Sequence, residues 1–150
     1  VRVAVRGFLL PSLVLVALAT GCHGGQHARA DTVDAGLDHP FVLAGGQQAD
    51  IAGEPLRLRF TEVPEDSRCP TEVECFWTGQ ARVVVVVDDG RSGEQTVEFN
   101  TNPAPGQNRQ TVQTGDYALT LQALDPYPRT PEDIPPLSDY RATLLVRLTA

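Results

Sequence analysis

Leu56-Arg57-Leu58-Arg59-Phe60-Thr61 alternates apolar and polar residues without a break. A strand, with its period of two, puts Leu56, Leu58 and Phe60 on one buried face. Ala81 to Val87 is instead a nearly continuous run of valines, which predicts a central strand covered on both faces. Asp88-Asp89-Gly90-Arg91-Ser92-Gly93 follows with turn residues, so Gln95–Phe99 is expected to return as the hairpin partner with Val97 and Phe99 inward. Further on, Tyr117, Leu119 and Leu121 alternate with Ala118, Thr120 and Gln122. The last run places Tyr140, Ala142, Leu144, Val146 and Leu148 on one face. Weaker strand signals lie near Phe41–Ile51 and Gln110–Thr114, and no segment carries a helical period. About seven half-apolar ribbons predict an all-β fold, an antiparallel two-layer β-sandwich of immunoglobulin-like type. A small closed barrel is the second choice.

Gly115-Asp116-Tyr117 before an alternating run resembles the tyrosine corner of immunoglobulin-like domains, in which the phenol bonds back to the chain. Residues 40–150 are enough for one domain and too few for two. Ahead of them, residues 23–39 are small and polar, without strand or helix period, and read as a flexible tether. That stretch holds all three histidines, His23, His27 and His39. A solvated spacer is preferred there to a metal site, which an unstructured segment would first have to order.

The first 22 residues change the picture most. Arg2 and Arg6 precede an apolar stretch from Phe8 to Ala19, and Ala19-Thr20-Gly21-Cys22 ends it. The stretch is broken by Pro11 and is shorter than the ~20 residues a bilayer core requires. It resembles the signal peptide and lipobox of bacterial lipoprotein precursors, cut before Cys22. The resemblance implies residues 1–21 as leader, residues 22–39 as lipidated N-terminus and tether, and residues 40–150 as one sandwich domain. Acyl chains on Cys22, palmitate among them, would anchor the protein in the cell envelope, facing the periplasm or the exterior. Without the leader, ten arginines face nineteen carboxylates, a net charge of −9. So acidic a surface repels nucleic acid and anionic lipid alike.

With Cys22 given to lipid, Cys69 and Cys75 are an even pair in an oxidising compartment and are expected to form a disulfide. Their spacing suits neither zinc nor a redox pair. The surrounding Asp66-Ser67-Arg68-Cys69-Pro70-x-x-Val73-x-Cys75-x-Trp77-x-Gly79-x-Ala81 resembles a signature that recurs in bacterial secreted proteins and lipoproteins. The resemblance spans roughly residues 41–149 and implies a domain type, not an activity. Phe76 and Thr78 fall at its variable positions. In structural terms, Asp66 and Ser67 suit bonds to turn amides. Trp77 suits a core plug over the disulfide, and Gly79 a bend. Arg68 either pairs with Asp66 or offers its guanidinium to a ligand carboxylate.

Residues 41–150 contain no histidine, which excludes the usual catalytic triads and most zinc hydrolases. A carboxylate pair among Glu62, Glu65, Asp66, Glu72 and Glu74 is the remaining enzymatic option and the least supported. Asp88, Asp89 and Glu94 suit a hairpin turn better than calcium. No cofactor or metal is expected. The segment from Asp125 to Asp139, with five prolines, is longer than a hairpin needs, and such loops are often functional. Its Tyr127, Ile134 and Leu137 either cover the end of the sandwich or meet a partner. The candidate binding residues are thus Asp66, Arg68 and Glu72 on one stiffened loop, and Tyr127 and Arg129 on the other. The resulting expectation is a membrane-anchored, non-enzymatic lipoprotein whose β-domain binds an envelope protein or other envelope component. The alternative is an inhibitor of an envelope or secreted hydrolase.

Overall fold

The alternation of Leu56–Thr61 continues into a ten-residue strand that organises one layer. The structure, a computed structural model, describes residues 31–107 and 110–149. Its strands are β1 (Thr32–Ala35), β2 (Phe41–Ala44), β3 (Gln48–Ile51), β4 (Arg57–Asp66) and β5 (Ala81–Asp88). They continue with β6 (Glu94–Asn100), β7 (Thr111–Thr114), β8 (Tyr117–Asp125) and β9 (Arg141–Leu148). One sheet has the order β1-β3-β4-β5-β6 and the other β2-β9-β8-β7. Every pairing is antiparallel except β1 on β3. This is the expected all-β two-layer sandwich.

The core lies between the layers. Leu58 and Phe60 from β4, Val83, Val85 and Val87 from β5, and Phe99 from β6 meet Leu119 from β8 and Leu144 and Val146 from β9. Each of these side chains is fully or almost fully buried. Inward and outward positions alternate strictly along β5. Val84 and Val86 are nevertheless only half-buried, because a two-layer sandwich leaves the outer face of the valine strand uncovered. A bulge between Leu121 and Ala123 shifts the alternation of β8, so that Leu124 also points into the core.

Besides the uncovered outer face of β5, four expectations need correction. The described residues form nine strands, not about seven. Phe41–Ile51 is two strands, β2 and β3, which the turn at Gly45-Gly46 sends to opposite sheets. Residues 32–35 are not tether: β1 pairs along β3, with Thr32 opposite Gln48 and Ala35 opposite Ile51. Ala35 is buried and Val33 packs against the core. Backbone pairing stabilises this edge strand, and mean hydropathy does not register backbone pairing. Lastly, Leu148 is half-exposed at the end of β9. Cys22, the leader, His23 and His27 lie outside the described residues.

The two ends of the sandwich differ. The turn from Asp88 to Gly93, Asp116 and Thr149 mark one end. At the other, β4 and β8 finish and β5 and β9 begin, which brings together the cysteine motif and the proline-rich segment.

Candidate functional site

Asp66 ends β4, and Arg68 two residues later turns back across the mouth of the sandwich. Arg68 is only 6% exposed. Its Nε and Nη2 donate to the two carboxylate oxygens of Asp66 at 2.7 and 2.6 Å. Nη1 donates to the carbonyl of Leu124 at 2.6 Å, and Nη2 also reaches that of Pro126 at 2.8 Å. The guanidinium lies over the Tyr127 ring, 4.9 Å from its centre. Tyr140 donates its hydroxyl to Asp66 at 3.0 Å. Burial pushes the Asp66 carboxyl up, but the hydrogen bonds and charge of Arg68, with the Tyr140 bond, outweigh it and hold the group below its ordinary value of 3.8. The phenol of Tyr140 moves the other way, to about 12, through burial and then the charge of Asp66. A buried bidentate pair with two further carbonyl acceptors is a strut that ties β4 to the end of β8. Asp66 and Arg68 are therefore corrected from binding candidates to structural residues: both carboxylate oxygens and four of the five guanidinium N–H groups are engaged inside the domain.

The strut carries the disulfide loop. Cys69 and Cys75 are bonded, as expected. Flanking them, Ser67 N donates to Gln80 O at 2.7 Å and Cys69 N to Thr78 O at 2.9 Å, so the two arms pair as a short ribbon. Gly79 sits at φ +64°, where a Cβ would collide with the carbonyl of Ser67. Only glycine fits there. From Thr71 to Thr78 every residue is exposed. Phe76 is 99% exposed and Trp77 83%. Trp77 is thus no core plug. The loop is held away from the sandwich by its ribbon arms, and the space between the sheets is already filled by Phe60 and Phe99.

The proline-rich segment lies alongside. Thr71 N donates to Pro128 O at 3.1 Å and Glu72 N to Arg129 O at 2.9 Å. Arg129 Nη2 also bonds Glu72 Oε1 at 2.6 Å. Asp133 accepts from the amides of Thr130 and Arg129, and these bonds lower its pKa. Leu137 packs against the core and its backbone crowds Gly45, while Ile134 stays 76% exposed and Tyr127 about half-exposed. Part of the segment thus caps the domain and part faces out. A groove of about 410 Å³ runs from Tyr127 past Thr78, Gly79 and Asn102 to Leu121. A second, of about 360 Å³, follows Tyr127, Pro128, Ile134 and Pro135. Tyr127 lines both.

All five sequence candidates therefore meet at one end of the sandwich, in different roles. Asp66 and Arg68 brace it from inside, Glu72 and Arg129 clasp the two loops together, and Tyr127 separates the grooves. Sequence reasoning missed Phe76 and misplaced Trp77. A signal was available: in extended chain two adjacent bulky residues point to opposite sides, so a two-layer fold can bury only one.

The opposite end holds ordinary turn chemistry. Asp88 accepts from Gly90 N, and Asp89 from Arg91 N and Ser92 N, which lowers the pKa of Asp89. Tyr117 donates its hydroxyl to Glu54 at 2.7 Å and not to the backbone, so the contact of an immunoglobulin-like corner is replaced by a phenol–carboxylate bond. That bond first, then burial, raises the phenol to about 12. Among the described residues no three His, Cys, Asp or Glu side chains converge as a metal site, and no helix is long and apolar enough to cross a membrane. No protein-family model, curated protein or solved structure matches the chain.

Proposed function

We propose that the protein is an envelope lipoprotein, tethered through acylated Cys22, whose β-sandwich is a non-enzymatic binding module. Its working surface is the disulfide-braced end, where it engages a component of the envelope. One observation carries this reading: Phe76 and Trp77, the two most exposed large apolar side chains among the described residues, follow directly on Cys75 of the disulfide, inside a ribbon closed by the Cys69–Thr78 backbone hydrogen bond. Exposing two aromatic rings to water is unfavourable unless something covers them in use. The clasp to the proline-rich segment lowers the entropy lost when they are covered, and aromatic residues are prominent among binding hot spots. The same bracing favours a second reading, a rigid loop that enters the cleft of an envelope or secreted hydrolase and inhibits it.

Oxidative footprinting tests the proposal. In native membranes Phe76 and Trp77 should be protected, and extraction and purification in detergent should restore their reactivity. Tyr117, at the other end, should react alike in both states. Equal reactivity of Phe76 and Trp77 in membranes and in detergent removes the working surface from this loop. Intact mass of the native chain tests the tether, which fails if Cys22 is unmodified. A hydrolase that co-purifies, and that the added domain slows, would select the second reading.

A further inference from the structure

We infer that the component covering Phe76 and Trp77 is the lipid interface of the membrane that holds Cys22. The inference rests on the tether proposed above. Three observations support it. The first is the direction of the chain. β1 runs parallel to β3, which is antiparallel to β4, so Thr32 is level with Gln48 and Arg59. Going backwards from Ala35 to Thr32 is thus going along β4 from Arg57 towards Asp66. The first residue of β1 is therefore directed towards the end of the sandwich that carries the aromatic loop, and Thr149 lies at the opposite end.

The second observation is length. Because β1 belongs to the sheet, only ten residue steps separate Cys22 from Thr32. They span at most about 35 Å. From the level of Arg59 to Asp66 is seven residues of β4, about 23 Å at the rise of a strand. Cys22 therefore reaches about 10 Å beyond Asp66 at most. The far end, where Arg57 pairs with Asp88, is nearer, about 7 Å from the level of Arg59, so length permits both ends and the direction of β1 decides: only a reversal just before β1 would bring the far end to the membrane.

The third is chemistry. Trp and Phe partition to the membrane–water boundary, where the ring is desolvated while polar neighbours stay wet. Val73 on the same loop and Ile134 on the adjoining one add exposed apolar surface. Of the two carboxylates within the disulfide loop, Glu72 is paired with Arg129. With a mature charge of −9, the contact suits a zwitterionic surface and depends on aromatic insertion, not on charge.

The chain has a single tryptophan, so its fluorescence reads this site alone. The acylated protein, purified from membranes, is reconstituted into phosphatidylcholine vesicles with plain or brominated acyl chains. Trp77 emission should move to the blue and fall about twofold with the brominated lipid, as for a ring at the interface. Phe76→Asp, at a position fully open to solvent, should weaken that quenching without changing the melting temperature. Intact mass of the same sample separates the failures. An unmodified Cys22 removes the tether and this inference with it. An acylated chain whose Trp77 emission stays water-like and unquenched overturns the inference alone. Crosslinking from position 76 to protein but not lipid in native membranes would assign the loop to a protein and overturn it too.

Discussion

Arg68 and Trp77 lie nine positions apart in one motif and have opposite fates. The guanidinium is buried because four acceptor contacts, two on Asp66 and one each on Leu124 and Pro126, replace its water. Removing one partner of such a buried pair leaves the other uncompensated. Arg68→Ala should therefore destabilise the domain by about 3–5 kcal/mol, measured by denaturant unfolding. Phe76→Ser with Trp77→Ser touches only exposed side chains and should leave the melting temperature nearly unchanged. The sequence offered both readings of Arg68 and could not choose, since the deciding acceptors are the carbonyls of Leu124 and Pro126, more than fifty residues away. Ionisation gives a separate check. The carboxyl of Asp66 titrates lower folded than unfolded, so its contribution is present above about pH 3.8 and is lost as pH falls through the folded value. Tyr117 and Tyr140 are raised from 10.0 to about 12. Their contribution is complete below pH 10 and is lost as pH rises to about 12. Unfolding free energies across pH should show both losses. Asp66→Asn should flatten the acid limb and Tyr117→Phe should reduce the alkaline one. A profile unchanged by either substitution would contradict these assignments.

Strands were legible where one face is buried and the pattern is long. β4, β5, β6, β8 and most of β9 follow from alternation and turn residues alone. Of the four-residue strands, β7 was read from a weaker signal, β2 and β3 only as one segment, and β1 not at all, because β1 and β3 depend on hydrogen bonds to neighbours and carry too few apolar side chains to mark a face. The disulfide was readable from cysteine arithmetic, but the position of its loop was not. Its orientation depends on the ribbon between Ser67–Cys69 and Thr78–Gln80, on Gly79, and on the two amides that Thr71 and Glu72 give to Pro128 and Arg129. The disulfide closes a short ring within this supported ribbon. Cys69→Ser with Cys75→Ser should thus cost about 2 kcal/mol and leave the sandwich folded, as thermal melts and far-ultraviolet dichroism would show. A loss of cooperative unfolding would mean that the loop organises the domain and is not merely presented by it.

The sandwich as a body is polar along its axis. One end is closed by turns whose carboxylates are spent on backbone amides. The other carries the two stiffened loops, both grooves and the exposed aromatic pair, and the first residue of β1, Thr32, is directed towards it. The direct measurement of this asymmetry is photocrosslinking in native membranes, with a photoactivatable residue at position 76 in one sample and at position 92, in the exposed far turn, in another. Position 76 should give a high yield of adducts and position 92 almost none. Equal yields from the two ends, or adducts from position 92 alone, would contradict it.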